Sequence, residues 1–312
     1  MHIDAYIVLG SAVVGLLVGL TGAGGGALMT PMLILLFGVK APAAISSDLV
    51  AAVLMRPVGA AVHMRKGTVN YRLVGWLALG SVPMAFLGAW LLKQLGGTSS
   101  SQQDVEIALG AALLAGAAAM VVRFVMDRKS GPRTARVDQV AIRPVPTVLI
   151  GMVGGLIVGM TSVGSGSLMI VLLLFAYPKL AAGRLVGTDL TQAVPLTAAA
   201  ALGALAFGHV EFGVTASIIV GSVPAVLIGS LLSSRAPDKY IRPAITFVIL
   251  ASGLKYIGVG TYPLAWTMGA ALAAAGGYWL VRTQSWRHRA SEAAPEPAPE
   301  PALEPLDGVR VT

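Results

Sequence analysis

A glycine-rich stretch occurs twice in this chain, and each copy interrupts an apolar run. Residues 15–29 (GLLVGLTGAGGGALM) and 155–169 (GLIVGMTSVGSGSLM) are identical at nine of fifteen positions at a constant offset of 140. The shared residues include Gly15/Gly155, Gly19/Gly159, Thr21/Thr161, Gly24/Gly164 and Gly26/Gly166. Glycine has no Cβ to restrict its backbone and weakens a helix interior. Two clusters set inside apolar runs therefore predict two broken helices at corresponding places.

The likeness continues beyond the glycines, at an offset that grows to 141: SSDLVAA (46–52) faces GTDLTQA (187–193), which sets Asp48 opposite Asp189. GTVNY (67–71) faces GHVEF (208–212), and GSVP at 80–83 matches GSVP at 221–224. The same order of motifs in both halves marks an internal duplication. The reading divides the chain into a first repeat at 1–126, a basic loop at 127–144 and a second repeat at 145–260. An unpartnered apolar segment at 261–283 and a Pro/Glu-rich tail at 284–312 follow. The tail is too poor in apolar residues to order itself.

Apolar residues make up 56% of the chain and charged residues 12%, with a mean hydropathy of +0.80. A soluble domain carries roughly twice that charged fraction, and the apolar runs have the length that crosses a bilayer. Expected spans lie at 43–63, 73–93, 104–125, 185–207, 213–233 and 241–259, with split segments at 5–37 and 146–177. The fold class expected is an all-α polytopic membrane protein of two inverted repeats, with broken or re-entrant helices at the glycine motifs. Irregular backbone at membrane depth is tolerated only where protein or a cavity covers it. No basic run precedes the first apolar segment, so no cleaved leader is expected.

There is no cysteine, which excludes disulfides and thiolate chemistry. The net charge of +8 is assigned to cytoplasmic loops rather than to nucleic acid. Basic residues cluster at 63–72, 123–143, 235–242 and 282–289. Placing all four clusters on the cytoplasmic side requires each split pair to return to the face it started from. The two repeats are then inverted, the N-terminus lies outside and the C-terminus inside. Inverted repeats with discontinuous helices are the build of many secondary transporters.

The expected substrate site is built from the two breaks: Thr21, Gly24, Gly25 and Gly26 in the first, and Thr161, Ser162, Gly164, Ser165 and Gly166 in the second. A half-helix beginning at each break offers unpaired N–H groups and the positive dipole end to an anion. Tight helix packing is the plainer use of such glycines. Asp48 and Asp189 follow a Ser or Thr at the start of apolar segments, so they read either as helix caps or as proton-coupling carboxylates. Arg56 lies inside an apolar segment and reads as a substrate contact or as a side chain reaching back to the 63–72 loop. Its repeat partner is Thr197. His63 reads as interfacial, His209 and Glu211 as a solvated loop, and Trp76, Trp90, Tyr262, Trp266, Trp279 and Trp286 as interfacial anchors. No HExxH, GxSxG or cysteine–histidine cluster is present, so neither an enzyme nor a cofactor or metal is expected.

Both halves resemble the sulfite exporter TauE/SafE family of transmembrane permeases over about residues 5–259. The matching stretches are GLTGAGGGAL, SSDL, GTVNYRLV and GSVPMAFLGAWL in the first half, and GMTSVGSGSL, GTDLTQA, GHVEFG and GSVPAVLIGSLL in the second. Ser165 stands where the first copy has Gly25. The resemblance implies a cell-membrane secondary transporter exporting sulfite, sulfonates or other sulfur-containing anions, with protons as a coupling partner. The alternatives are a transporter for another anion, such as a carboxylate, and a membrane scaffold that transports nothing. Oligomeric state is not legible.

Overall fold

The computed structural model describes residues 3–21, 25–65, 67–95, 99–129, 142–178, 180, 182–232 and 238–260, with 262–264, 266, 269 and 270 beyond them. Residues up to Thr261 form one compact unit, and the account below concerns that unit. The tail and most of the 261–283 segment, with Trp279 and Trp286, lie outside the described residues.

Among the described residues ten helices follow in order: α1 (Ala5–Thr21), α2 (Gly26–Leu35), α3 (Ala41–Arg65), α4 (Tyr71–Leu95), α5 (Ser99–Lys129), α6 (Pro144–Thr161), α7 (Leu168–Ala176), α8 (Ala182–Phe207), α9 (Phe212–Leu232) and α10 (Asp238–Tyr256). No named strand occurs among the described residues. Local sequence sets the ends. Pro144 opens α6 where its missing N–H costs nothing. Gly67 closes α3 at φ +62°, donating its N–H to the Met64 carbonyl (3.1 Å), a turn that suits a residue without Cβ.

Six of these helices are long and apolar enough to cross a membrane: Ala41–Arg65, Tyr71–Leu95, Gln102–Met126, Pro144–Thr161, Arg184–Phe207 and Phe212–Leu232. The protein is an all-helical polytopic membrane protein. Many large apolar side chains face outward, among them Leu9, Val13, Leu79, Leu202, Val220 and Leu231. In water such a surface would be an aggregation liability; against lipid it is the ordinary exterior.

Repeat partners pack in equivalent ways. α1 lies on α9, and α6 lies on α4. In the first seam a Cβ added at Gly19 would sit 2.4 Å from the Val226 carbonyl oxygen, and one at Gly221 would sit 2.2 Å from that of Val8. In the second, a Cβ at Gly159 would sit 2.1 Å from the Ala85 oxygen, and one at Gly80 would sit 2.2 Å from that of Val148. Backbones this close admit only glycine, the small-residue packing that lipid-embedded helices use where water provides no driving force. For Gly15, Gly19, Gly155 and Gly159, at the start of the duplicated stretch, the packing role is therefore correct.

The half-helices α2 and α7 are buried over most of their length, with Leu35 and Phe175 exposed near their C-terminal ends. Every residue from Gly26 to Leu33 is buried, as are Met169, Ile170, Val171, Leu173 and Leu174. A short helix that is apolar all round is stable only inside protein. Met29 and Leu33 anchor one core, and their repeat equivalents Met169 and Leu173 anchor the other, all at 0% exposure.

Candidate functional site

The second break is an irregular loop of six residues between α6 and α7. Ser162 leaves α6 in the left-handed region (φ +59°), and Gly164 and Gly166 follow at φ +120° and +89°. Side chains disfavour those conformations, which explains two of the glycines in TSVGSG. The Ser162 N–H still caps α6 on the Val158 carbonyl (2.7 Å), and the Met169 N–H returns to the Gly164 carbonyl (3.1 Å). In the first break Gly25 starts α2, and its carbonyl accepts the Met29 N–H at 2.9 Å. Gly24 lies outside the described residues.

The two breaks meet. A Cβ on Gly26 would lie 1.8 Å from the Ser162 carbonyl oxygen, so the first break abuts the second with no room for a side chain. Three ionisable residues are buried around this junction. Asp48, on α3, is 1% exposed; its Oδ2 accepts from Thr30 Oγ1 of α2 (3.0 Å) and from Ser162 Oγ (2.8 Å). Asp189, on α8, is 0% exposed, and its Oδ2 accepts the Gly166 N–H (2.7 Å). Arg56, on α3 and 7% exposed, donates Nη1–H to Ser165 Oγ and has Asp189 and Asp48 as its electrostatic partners.

Much of this polar group is unsatisfied. Oδ1 of Asp48, Oδ1 of Asp189, and Nε and Nη2 of Arg56 are buried without a hydrogen-bond partner. Buried polar atoms are normally paired, because each orphan keeps its desolvation cost. A cluster of orphaned donors and acceptors at a helix break is what a site looks like when its ligand would complete the pairing. A guanidinium with two free N–H groups can grip an oxyanion, and a carboxylate with a free oxygen can take a proton.

Several expectations need correcting. Asp48 and Asp189 do not cap helices, since α3 and α8 each begin seven residues earlier. The Ser and Thr before them instead tie the repeats together. Ser47 Oγ accepts the Glu211 N–H (3.1 Å), and Thr188 Oγ1 accepts the Asn70 N–H (3.1 Å), two bonds that are repeat equivalents. Arg56 is too buried to reach back to the 63–72 loop. Thr21 and Thr161, expected to donate to substrate, return their hydroxyls to their own helices at Leu17 (2.7 Å) and Ile157 (2.6 Å). Two donors assigned to the anion, Ser162 Oγ and the Gly166 N–H, serve the protein's own carboxylates. His209 and Glu211 are exposed, as expected of a solvated loop. Among the described residues no group of three or more metal-ligating side chains occurs.

Sequence reasoning missed Thr30 and Gln192. Gln192 lies one turn after Asp189 on α8, fully buried; its Nε2 donates to Ser81 Oγ and its Oε1 has no partner. A glutamine in an apolar segment, opposite Ala51 in the other repeat, was the available signal.

Residues 7–256 match the family model for Sulfite exporter TauE/SafE. The probable membrane transporter protein YjnA of Bacillus subtilis is 39% identical over 252 residues, covering 80% of this chain and 98% of that protein. The probable membrane transporter protein YdhB of the same organism is 25% identical over 255 residues, 80% of this chain and 98% of its own length. A probable membrane transporter protein of Xylella fastidiosa is 27% identical over 261 residues, 82% of this chain and 96% of its own. No solved structure matches.

Proposed function

The chain belongs to the sulfite exporter TauE/SafE family of membrane transporters, and from that premise we propose that it is a secondary transporter exporting sulfite, sulfonates or related small sulfur-containing anions. One observation carries the reading. Arg56 is buried at the junction of the two breaks with Nε and Nη2 unpartnered. Asp48 and Asp189 balance its charge, but buried donors without partners keep their desolvation cost, and an oxyanion spanning the two free nitrogens supplies the missing hydrogen bonds. Ser165 Oγ holds the guanidinium by its other nitrogen, so the fork is aimed before the anion arrives.

Two carboxylates and one guanidinium carry a net charge of −1, and a monoanion raises that to −2. Protonation of Asp48 or Asp189 offsets the increase, which makes these the coupling carboxylates of the reading. Outward direction is supported by the family's description as a sulfite exporter. Basic loops at 63–72, 123–143 and 235–242 set the cytoplasmic face, leaving the N-terminus outside and the two repeats inverted. The equivalent seams α1/α9 and α4/α6 supply the matched surfaces that such repeats rock against.

The test is ligand-dependent melting of the purified full-length protein with sulfite, sulfate, thiosulfate, sulfoacetate, taurine and matched carboxylates. A ligand that binds only the folded state raises the melting temperature by mass action. The expected result is stabilisation by sulfite or sulfonates that disappears in Arg56→Gln. Stabilisation by carboxylates alone would overturn the sulfur chemistry, and stabilisation undiminished in Arg56→Gln would overturn the site.

A further inference from the structure

We propose that a chamber beside the second break is a second anion-binding site, the entry port through which an organic anion with a short apolar arm reaches Arg56. The inference rests on the transport reading and narrows its substrate class. A cavity of about 320 Å³ lies between α5 and α10 and reaches Thr21, Gly166 and Ser167 of the two breaks. Its floor belongs to the central cluster, because the N–H of Gly166 is the group that binds Asp189. Two arginines, Arg123 of α5 and Arg242 of α10, line it. Arg123 is also an electrostatic partner of Asp189, so the field of the chamber is continuous with that of the site.

The charge has a direction. Arg123 is followed in the chain by Arg128 and Lys129, and Arg242 is preceded by Arg235 and Lys239. Both arginines thus sit at the ends of their helices that run into basic segments. An anion arriving from that side meets positive charge first and then the break.

The walls decide the chemistry. Apart from the arginines and Thr246, the sides of the chamber are apolar, Met120, Phe124, Ile245, Phe247 and Leu250 among them. A cavity of about 320 Å³ would hold roughly ten waters at their liquid volume, against walls that are mostly apolar and offer water few partners. Ligand pockets of this size are mostly apolar, with a few polar groups that fix orientation. A bare hydrated oxyanion uses only the arginines. An alkanesulfonate uses both, its head on Arg123 and Arg242 and its carbons on the apolar walls.

The experiment measures binding of sulfite, methanesulfonate, propanesulfonate and pentanesulfonate to the full-length protein in zwitterionic-lipid nanodiscs. Affinity is expected to rise by roughly fourfold per methylene. The rise is expected to flatten in Leu250→Trp, whose folding is checked by melting temperature. In Arg242→Gln, which keeps the chamber's shape, all sulfonates are expected to weaken together with the gradient intact. Sulfite binding without a chain-length gradient overturns this inference and leaves the transport reading standing; no anion binding at all overturns both. An equal gradient for pentanol and pentyltrimethylammonium would mark the cavity as a lipid crevice and overturn it, as would loss of binding on adding phosphatidylglycerol.

Discussion

The two seams of this protein and its centre come from one duplication, yet they have kept very different amounts of it. At the seams each contact has a twin: Gly19 on Val226 answers Gly159 on Ala85, and Gly221 on Val8 answers Gly80 on Val148. At the centre the twins diverge. Arg56 answers Thr197, which bonds only its own helix at Ala193 (2.7 Å); Gln192 answers Ala51; Ser165 answers Gly25. Of the three buried ionisable residues only Asp48 and Asp189 stay matched in type, and even they differ in what they accept, two hydroxyls against one backbone N–H. Packing tolerates no deviation, because a methyl group at a seam meets backbone that cannot move. Binding a small asymmetric anion needs the opposite, a cation on one side and hydroxyls on the other.

The contrast can be broken most violently at a seam. Gly159→Leu drives a side chain into the Ala85 carbonyl, and overpacking against backbone costs about 3 kcal/mol or more. We expect this variant and its twin Gly19→Leu to fail alike, with no monodisperse protein on size-exclusion chromatography. A well-folded, active Gly159→Leu would remove the packing account.

Arg56→Gln tests the centre. Hydrogen bonds to a charged group contribute about 1.5–3 kcal/mol, so transport into proteoliposomes should fall by roughly 10- to 150-fold with the fold retained. Adding Thr197→Arg should not restore it, because Arg56 is positioned by Ser165 and the twin of that residue is Gly25. Restoration would show that the centre had kept its symmetry after all.

The matched carboxylates come next. Asn at either Asp48 or Asp189 leaves a hydrogen-bond acceptor but no proton site, so acceleration of transport by an imposed pH gradient should disappear while gradient-free exchange persists. Full retention of the gradient response in both variants would end the coupling proposal. The smallest effect separates two neighbours. Ser162→Ala removes a donor to Asp48 worth about 1 kcal/mol, roughly fivefold in transport. Thr161→Val removes the bond to its own helix and the acceptor of the Val163 N–H (3.2 Å), neither of which reaches a carboxylate, and should change the rate less than Ser162→Ala does.

Much of the fold was legible because it rests on signals that local context does not override. Apolar runs of membrane-crossing length and a constant offset between repeats locate the helices to within a few residues. The break residues and Arg56 were legible as well, since glycines and a cation stand out against an apolar background. What failed was the assignment of bonds. Ser46, Ser47 and Asp48 look like a cap, but Pro42 in the first turn lets α3 start seven residues before the carboxylate. Thr21 and Thr161 look like site hydroxyls, yet in an apolar surrounding a threonine finds its own helix carbonyl four residues back more readily than a distant ligand. Thr30 and Gln192 carry one polar group each, with no pattern to say which neighbour they would meet.

The seam between α1 and α9 also sets a timetable. Gly15 packs on Ser222, two hundred and seven residues later in the chain. At about 5–20 residues per second the ribosome needs roughly 10–40 s to make that stretch. Throughout that interval the first helix waits in the bilayer with its glycine face against lipid or against whatever insertion machinery shields it. The first repeat therefore cannot complete its own packing. The packing of α1 is completed late, when α9 arrives to fill positions the first helix has been holding open.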